Sequence, residues 1–128
     1  MNITEYGRVL TNIGQEIYNV SNNSEENLIQ NFSNNMNLCD NAFHQLKNIQ
    51  PPSFIMTEHV KLTDIFEQLF TAYSLQLNSI NDERKVSNVK LFQKGKRIMD
   101  EEITKIGPIL ISILTKSCRL TVNNESKT

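Results

Sequence analysis

Residues 32–80 read FSNNMNLCDNAFHQLKNIQPPSFIMTEHVKLTDIFEQLFTAYSLQLNSI, with a Pro-Pro pair between two apolar stripes. The stripe positions before the prolines are Phe32, Met36, Cys39, Phe43 and Leu46, and those after them are Ile55, His59, Leu62, Phe66, Leu69, Tyr73 and Ile80. Steps of three and four residues place each series on one face of a helix. Proline disfavours helical geometry at the residue before it, so Pro51 and Pro52 end the helix that precedes them. The stretch therefore predicts two helices that fold back on each other.

Apolar periodicity and capping residues extend this pattern over the rest of the chain. We predict helices over residues 3–20, 23–48 and 54–80, and a fourth from a cap at Asn81-Asp82 to Gly107. Asn23 with Glu26 is the predicted cap of the second helix. There Gly107-Pro108 either kinks or ends the helix, before a short apolar segment that reaches Leu120. Helices two to four are about 25 residues long, and their short connections favour antiparallel neighbours. The sequence predicts an all-α fold, namely an antiparallel up-down four-helix bundle with a kinked or short extra C-terminal helix.

The composition is that of one folded domain. The chain has 128 residues, of which 38% are hydrophobic and 21% are charged, and its formal net charge is -1. A chain of this length has room for a single core, and its small net charge produces no field that would attract nucleic acid or anionic lipid. We predict a helical-bundle domain over residues 1–120 and a disordered polar tail over residues 121–128.

Neither a targeting segment nor a membrane span is recognisable in the sequence. Residues 1–8 are polar and mixed in charge, unlike a secretory signal. The longest strongly apolar run, Ile106 to Leu114, is far shorter than the roughly 20 residues that a spanning helix needs. We therefore expect no membrane span and a cytoplasmic location, or an exported one if a leader has been removed.

Motifs for catalysis are also missing. The sequence has neither Gly-x-Ser-x-Gly nor a glycine-rich phosphate loop. The adjacent acids Glu25-Glu26 and Glu101-Glu102 diverge by about 100° on a helix, so they cannot act as carboxylate pairs. Cys39 and Cys118 have no CxxC spacing, and we interpret them as buried small hydrophobic residues instead of metal ligands or a disulfide bridge. We expect a non-enzymatic protein without a cofactor.

The two histidines are the residues to test for a metal or ligand site. His44 lies seven residues before Pro51 and His59 lies seven after Pro52, so both fall at a similar height in a hairpin. A metal site needs three or four converging ligands, and the spacings Glu-x-x-His and His-x-x-x-His are absent. We favour a partly buried His59 that is hydrogen-bonded to a turn carbonyl or a hydroxyl. A metal or small-molecule site near His44 and His59 is the alternative.

A basic cluster on the fourth helix offers a second candidate surface. Its members are Arg84, Lys85, Lys90, Lys94, Lys96 and Arg97. Lys90, Lys94 and Arg97 share one face, which could contact phosphate, an acidic partner helix or a membrane surface. The acids that follow favour an ordinary solvated face with ion pairs four residues apart. The expected pairs are Lys96–Asp100 and Arg97–Glu101. Nucleic-acid binding would need interleaved aromatic residues on this face, and we expect no nucleic-acid partner.

The segment after Gly107-Pro108 has more apolar surface than one interface can bury. Its apolar residues are Ile109, Leu110, Ile111, Ile113 and Leu114, which spread over more than half of the helix circumference. Such a surplus implies either extra coverage within the fold or a surface completed by another chain. We predict that these five residues, together with Lys90, Lys94 and Arg97, bind another protein or a second copy of this chain. The sequence thus predicts a protein–protein interaction or regulatory module, whose partner is either another protein or a second copy of the chain in a homodimer.

Two glycines in the first helix allow two interpretations. Gly7 and Gly14 are seven residues apart, so they lie on one side of the helix. Either a neighbouring helix approaches closely there, or the glycines are simply tolerated on a solvated face.

Residues 49–106 contain a Pro-Pro pair followed by a hydrophobic residue and a histidine, and later a Lys-Gly-Lys motif; these are Pro51-Pro52, Phe54, His59 and Lys94-Gly95-Lys96. This pattern resembles small uncharacterised helical proteins of Gram-positive bacteria, and the Asn-rich, Trp-free composition is similar to that of proteins from AT-rich genomes. It implies a helical bundle and no catalytic residues. Similar proteins are often exported and lipid-anchored, whereas this sequence has no recognisable leader or lipidation cysteine.

Overall fold

A computed structural model describes residues 1–22, 28–83 and 85–126 of the chain. Its helices are α1 (Ile3–Asn22), α2 (Leu28–Lys47), α3 (Met56–Asn78) and α4 (Val89–Ser126), with a short 3-10 turn at Ser53–Ile55 before α3. These described residues contain no β-strand, and the predicted all-α four-helix fold is confirmed. The predicted cap of α2 at Asn23 and Glu26 and the basic residue Arg84 lie outside the described residues.

The turn between α2 and α3 forms where the prolines require it. The last turn of α2 tightens at its end, where the amide of Ile49 donates to the carbonyl of Leu46 at 3.4 Å. Pro51 and Pro52 are both buried. The amide of Ile55 then donates to the carbonyl of Pro52 at 3.1 Å, which closes the 3-10 turn. The predicted hairpin is confirmed, with regular α-helix resuming at Met56 instead of Phe54.

Helix α3 is the central helix, since it packs along both α2 and α4. The main core cluster consists of Ile13, Cys39, Ala42, Leu46, Leu62, Ile65, Phe66 and Leu69. Half of these residues come from α3, and three of those, Leu62, Phe66 and Leu69, belong to the predicted stripe. A smaller cluster of Tyr6, Ile55 and Ile113 covers the end of the bundle near the α2–α3 turn. This second cluster attaches the N-terminal half of α1 to the rest of the protein.

Helix α4 begins later than predicted, at Val89 instead of just after Asn81-Asp82. Asn88 is its cap, because the Asn88 side-chain oxygen accepts from the amide of Leu91 at 3.1 Å. Asn81 instead holds a local turn, since its side-chain oxygen accepts from the amides of Glu83 and Lys85. An asparagine side chain can accept from the amides of a turn as readily as from those at the start of a helix. Here Asn81 stabilises the turn and Asn88 caps the helix.

Helix α4 continues through Gly107-Pro108 without a break and reaches Ser126, so no separate C-terminal helix forms. Proline removes one helical hydrogen bond and crowds the carbonyl four residues earlier. The buried side of α4 nevertheless continues across it, because Ile106 and Ile109 pack against the main core and Ile113 is itself buried. Packing of this face outweighs the local cost. The disorder predicted for residues 121–128 stays a prediction.

The helix glycines differ sharply in their surroundings. A Cβ atom at Gly95 of α4 would lie 2.6 Å from the carbonyl oxygen of Ala72 and 3.2 Å from the amide nitrogen of Gln76, both on α3. At Gly7 and Gly14 a Cβ would meet no described atom within 4 Å. The close helix approach that the sequence suggested for α1 therefore occurs between α3 and α4 instead.

Candidate functional site

His59 is buried and joins α3 to α1. Its side chain is 7% exposed, and its Nδ1 lies 2.9 Å from the hydroxyl of Tyr6, which is fully buried. The two rings meet edge to face, with centroids 5.6 Å apart. The favoured prediction was a partly buried His59 bonded to a turn carbonyl or a hydroxyl. The bond to a hydroxyl is confirmed, and His59 is buried more completely than predicted.

The protonation states of this pair follow from its surroundings. Burial, aided by the nearby carboxylate of Glu58, raises the pKa of Tyr6 to about 12, so the phenol keeps its proton. Burial lowers the pKa of His59, and a hydrogen bond with the backbone of Leu46 offsets part of this effect. The neutral imidazole accordingly accepts from Tyr6 at Nδ1 and donates its other N–H to the Leu46 carbonyl. Both ring nitrogens have structural partners.

His44 has a different environment. Its side chain is 59% exposed, and its Nε2 lies 3.2 Å from Asp40, one turn earlier on α2. Cys39 is buried in the main core, and burial raises its pKa to about 12. Within residues 1–22, 28–83 and 85–126, no group of three or more His, Cys, Asp or Glu side chains is placed to hold a metal ion. The structure thus gives His44 and His59 separate partners.

A second polar cluster lies beside His59. Glu58 is 6% exposed, and its Oε1 accepts from the hydroxyl of Ser112 at 2.8 Å and from the Nζ of Lys116 at 2.6 Å. The hydrogen bond from Lys116 lowers the pKa of Glu58, burial opposes it, and the hydrogen bond from Ser112 lowers it further. The carboxylate therefore ties the first turn of α3 to the C-terminal half of α4.

Replacing Lys116 with methionine removes the ion pair with the buried carboxylate of Glu58 and is expected to lower the free energy of unfolding by about 1–2 kcal/mol. Ser112 would remain as a side-chain partner of Glu58, which limits the loss. The loss stays modest because the side chain of Lys116 is 40% exposed, so water screens the pair. Urea unfolding followed by circular dichroism measures the loss. Lys105→Met, which breaks the more exposed pair with Glu102, is the matched control. Equal losses in the two variants would show that Glu58 has no special role.

The apolar segment after Pro108 is divided between the core and the surface. Ile113 is 5% exposed and buried, while Ile109 and Leu110 are half-buried against the core. Ile111 and Leu114 are 64% and 65% exposed. Of the five apolar residues predicted to bind a partner, the structure thus leaves two, Ile111 and Leu114, on the outside of the helix.

These two residues belong to a longer row on the outward side of α4, which we call the α4 stripe. It consists of Ile103, Gly107, Ile111, Leu114 and Cys118, all of them exposed. The predicted burial of Cys118 is therefore wrong, because this residue lies outside the face of α4 that packs on the core. Steps of four, four, three and four residues keep the row within about 80° of the helix circumference. The side chain of Ile103 is 46% exposed. The α4 stripe is a second apolar face on a helix whose first apolar face is already buried.

A groove of about 370 Å³ borders the α4 stripe on the side of α1. Helix α1 contributes Ile3, Gly7 and Leu10, and α4 contributes Leu110 and Leu114. No charged residue lines this groove. The stripe and the groove together form an uncharged surface that spans two helices.

The basic residues of α4 lie on a separate face. Lys90, Lys94 and Arg97 are exposed and line a shallow surface groove that also includes Glu101. The ion pairs predicted for Lys96 and Arg97 do not form among the described residues; the salt bridges of α4 there involve Lys105 and Lys116. Exposed pairs gain little over hydration, so their absence is unsurprising. The face is solvated, as expected.

A mixed-charge cleft lies between α3 and α4. Its volume is about 720 Å³, and its lining includes Lys61, Asp64, Gln68 and the Glu102–Lys105 ion pair. Pro108 also lines it and leaves the carbonyl of Thr104 without its usual helical donor. Charges of both signs make this cleft unlike the uncharged surface beside α1.

No protein-family model, curated protein or solved structure matches this chain. The resemblance to small Gram-positive helical proteins stays an expectation. Among the described residues, no helix has both the length and the apolar character needed to cross a membrane.

Proposed function

We propose that this chain is a helical interaction module that binds an apolar helix of another polypeptide along the α4 stripe and the adjoining α1 groove. The observation that carries the proposal is the exposure of Ile103, Ile111 and Leu114 in one row. Scattered apolar residues are common on protein surfaces, but a contiguous apolar row usually marks a contact surface.

The distribution of charge supports this proposal. The charged residues of α4 between positions 101 and 119 lie on other sides of the helix, and Lys105 and Lys116 are engaged with Glu102 and Glu58. The core of a protein interface is depleted of charged residues in the same way, while charges remain at its rim. A partner helix would bury the three large side chains of the stripe, each contributing on the order of 1 kcal/mol.

The geometry also suits a helix as the partner. The stripe rises about 22 Å along α4, which corresponds to four helical turns. Gly7 provides space on the α1 side, because a Cβ there would meet no described atom within 4 Å. A partner helix with apolar residues at three- and four-residue steps can therefore lie along the groove.

Photo-crosslinking in the native cell tests the proposal. A benzophenone amino acid replaces Ile111 in one variant and Glu101 in the control variant, and both positions are exposed on α4. Glu101 lies about 120° around the helix from the centre of the stripe. We expect a protein adduct of defined mass with the first variant and none with the control. Absence of any adduct at position 111, or equal adducts at both positions, would contradict the proposal.

A further inference from the structure

The structure leads us to infer that the α4 stripe binds a second copy of this chain, with the two α4 helices antiparallel about a two-fold axis at Ile111. This inference rests on the proposed interaction function and specifies its partner. It is carried by the register of the stripe, by an open notch at Gly107 and by the absence of charge along the row.

The register of the stripe is nearly the same in both directions. With the axis at Ile111, an antiparallel copy places Ile103 opposite Cys118, Gly107 opposite Leu114, and Ile111 opposite its own counterpart. These positions match to within about one residue, or roughly 1.5 Å of helix rise. A two-fold interface requires such self-complementarity, because each residue meets its partner and the reverse contact is identical.

Gly107 and Leu114 are complementary in shape. A Cβ at Gly107 would meet no described atom within 4 Å, so the glycine leaves an open notch on the surface of α4. Leu114 is 65% exposed and projects from the same row two turns later. Antiparallel pairing seats the Leu114 of each copy in the Gly107 notch of the other, as a knob fits a hole between packed helices. Parallel pairing would instead place glycine against glycine and leucine against leucine, which leaves one gap and one collision.

The absence of charge along the α4 stripe allows a second copy to bind there without electrostatic repulsion. In a two-fold dimer a charged row would face an equivalent row of the same sign pattern, and directly opposed like charges are unfavourable. The stripe from Ile103 to Cys118 is uncharged, so self-association meets no such penalty. The nearest charged residues on its side of the helix, Lys96 and Asp100, precede it and would lie beyond Cys118 of the second copy.

Cysteine crosslinking of the purified full chain tests the arrangement. In the antiparallel dimer the two Cys118 thiols are separated by roughly 20 Å, whereas each lies opposite Ile103 of the other copy. Under mild oxidation we expect wild-type protein to give little disulfide-linked dimer. The variant Ile103→Cys is expected to give mostly disulfide-linked dimer, since the introduced thiol meets Cys118 of the second copy. Cys39 is buried and does not compete.

The matched control is Glu101→Cys, an exposed position of α4 outside the stripe, which should crosslink no more than wild type. Light scattering after size-exclusion chromatography should give twice the chain mass for wild type. Leu114→Asp should raise the dimer dissociation constant at least about tenfold while leaving the helical circular dichroism spectrum unchanged. Gly107→Leu, which fills the notch, should weaken the dimer in the same way.

Two results would overturn the inference. Efficient crosslinking of wild type through Cys118 would show parallel pairing, and a monomeric mass that Leu114→Asp does not change would exclude self-association through this face. The photo-crosslinking experiment separates this failure from failure of the proposed function. An adduct at position 111 with a different protein would keep the interaction function and reject the second copy as the partner.

Discussion

Gly95→Leu is expected to lower the free energy of unfolding by at least about 3 kcal/mol, because no side chain fits between α3 and α4 at this position. Even the methyl group of Gly95→Ala would lie 2.6 Å from the carbonyl oxygen of Ala72, a backbone atom that cannot rotate away. Alanine gains about 1 kcal/mol in helix propensity over glycine. We expect the steric cost to exceed that gain, so that Gly95→Ala is destabilising by about 1–3 kcal/mol.

The two glycines of α1 are matched controls with the opposite sign. Gly7→Ala and Gly14→Ala add a methyl group where no described atom lies within 4 Å, so each should raise the free energy of unfolding by about 0.5–1 kcal/mol. Urea unfolding at equal protein concentration compares the three alanine variants. A Gly95→Ala protein as stable as the Gly7→Ala protein would show that α3 and α4 do not approach as closely as the structure requires.

The hairpin was predictable because two independent local signals agree. The three- and four-residue spacing of apolar residues fixes the buried faces of α2 and α3, and Pro51-Pro52 fixes the turn between them. The start of α4 was not predictable in this way. Asn81 and Asn88 are equally good caps by residue type, and the choice follows from contacts across the intervening loop, among them the pairing of Ile80 with Val86 and the bond from the Asn88 amide to the Ser79 carbonyl.

Pro108 illustrates how packing outweighs local preference. The residue type predicts either a kink or an end, and the helix does not end there, because Ile109, Leu110 and Ile113 still pack on the buried side. The same three contacts explain why Ile111 and Leu114 point outwards, since they lie on the remaining sides of an uninterrupted helix. The apolar surplus was visible in the sequence, but its division between core and surface required the helix to be continuous.

The polar contacts around His59 were predictable in part. Its position on the stripe of α3 indicated burial, and its bond to Tyr6 is of the kind expected for a buried imidazole. The bond between Glu58 and Ser112 spans 54 positions of sequence, and no local pattern pairs such distant residues. The same holds for Gly95, because its contacts with Ala72 and Gln76 depend on how two helices cross.

Removal of the Tyr6 side chain is the second large effect that we expect. Tyr6→Ala should lower the free energy of unfolding by about 3–5 kcal/mol, because it leaves a cavity in the cluster with Ile55 and Ile113 and removes the partner of His59. Tyr6→Phe keeps the ring and isolates the hydrogen bond, with an expected loss of about 1–3 kcal/mol. Tyr18→Phe is the control, since Tyr18 is 61% exposed, and should change little. A Tyr6→Phe protein as stable as wild type would show that the bond to His59 contributes nothing.

The pH dependence of stability gives an independent measurement of the same pair. Burial lowers the pKa of His59 in the folded protein below its value of 6.5 in the unfolded chain. Between these two pKa values the unfolded chain binds more protons, so stability falls as the pH drops below about 6.5 and this loss ends below the folded pKa. Glu58 does not obscure the effect of His59 between pH 7.5 and 5.5, because the pKa of Glu58 is lowered from 4.5 and its contribution to stability is lost only at more acidic pH.

The urea concentration at the midpoint of unfolding should therefore fall between pH 7.5 and pH 5.5 in wild type and in His44→Gln. The fall should be smaller in His59→Gln, in which the titrating imidazole is gone. A pH dependence retained in His59→Gln would locate the titrating group elsewhere and contradict the buried neutral imidazole on which the Tyr6 contact depends.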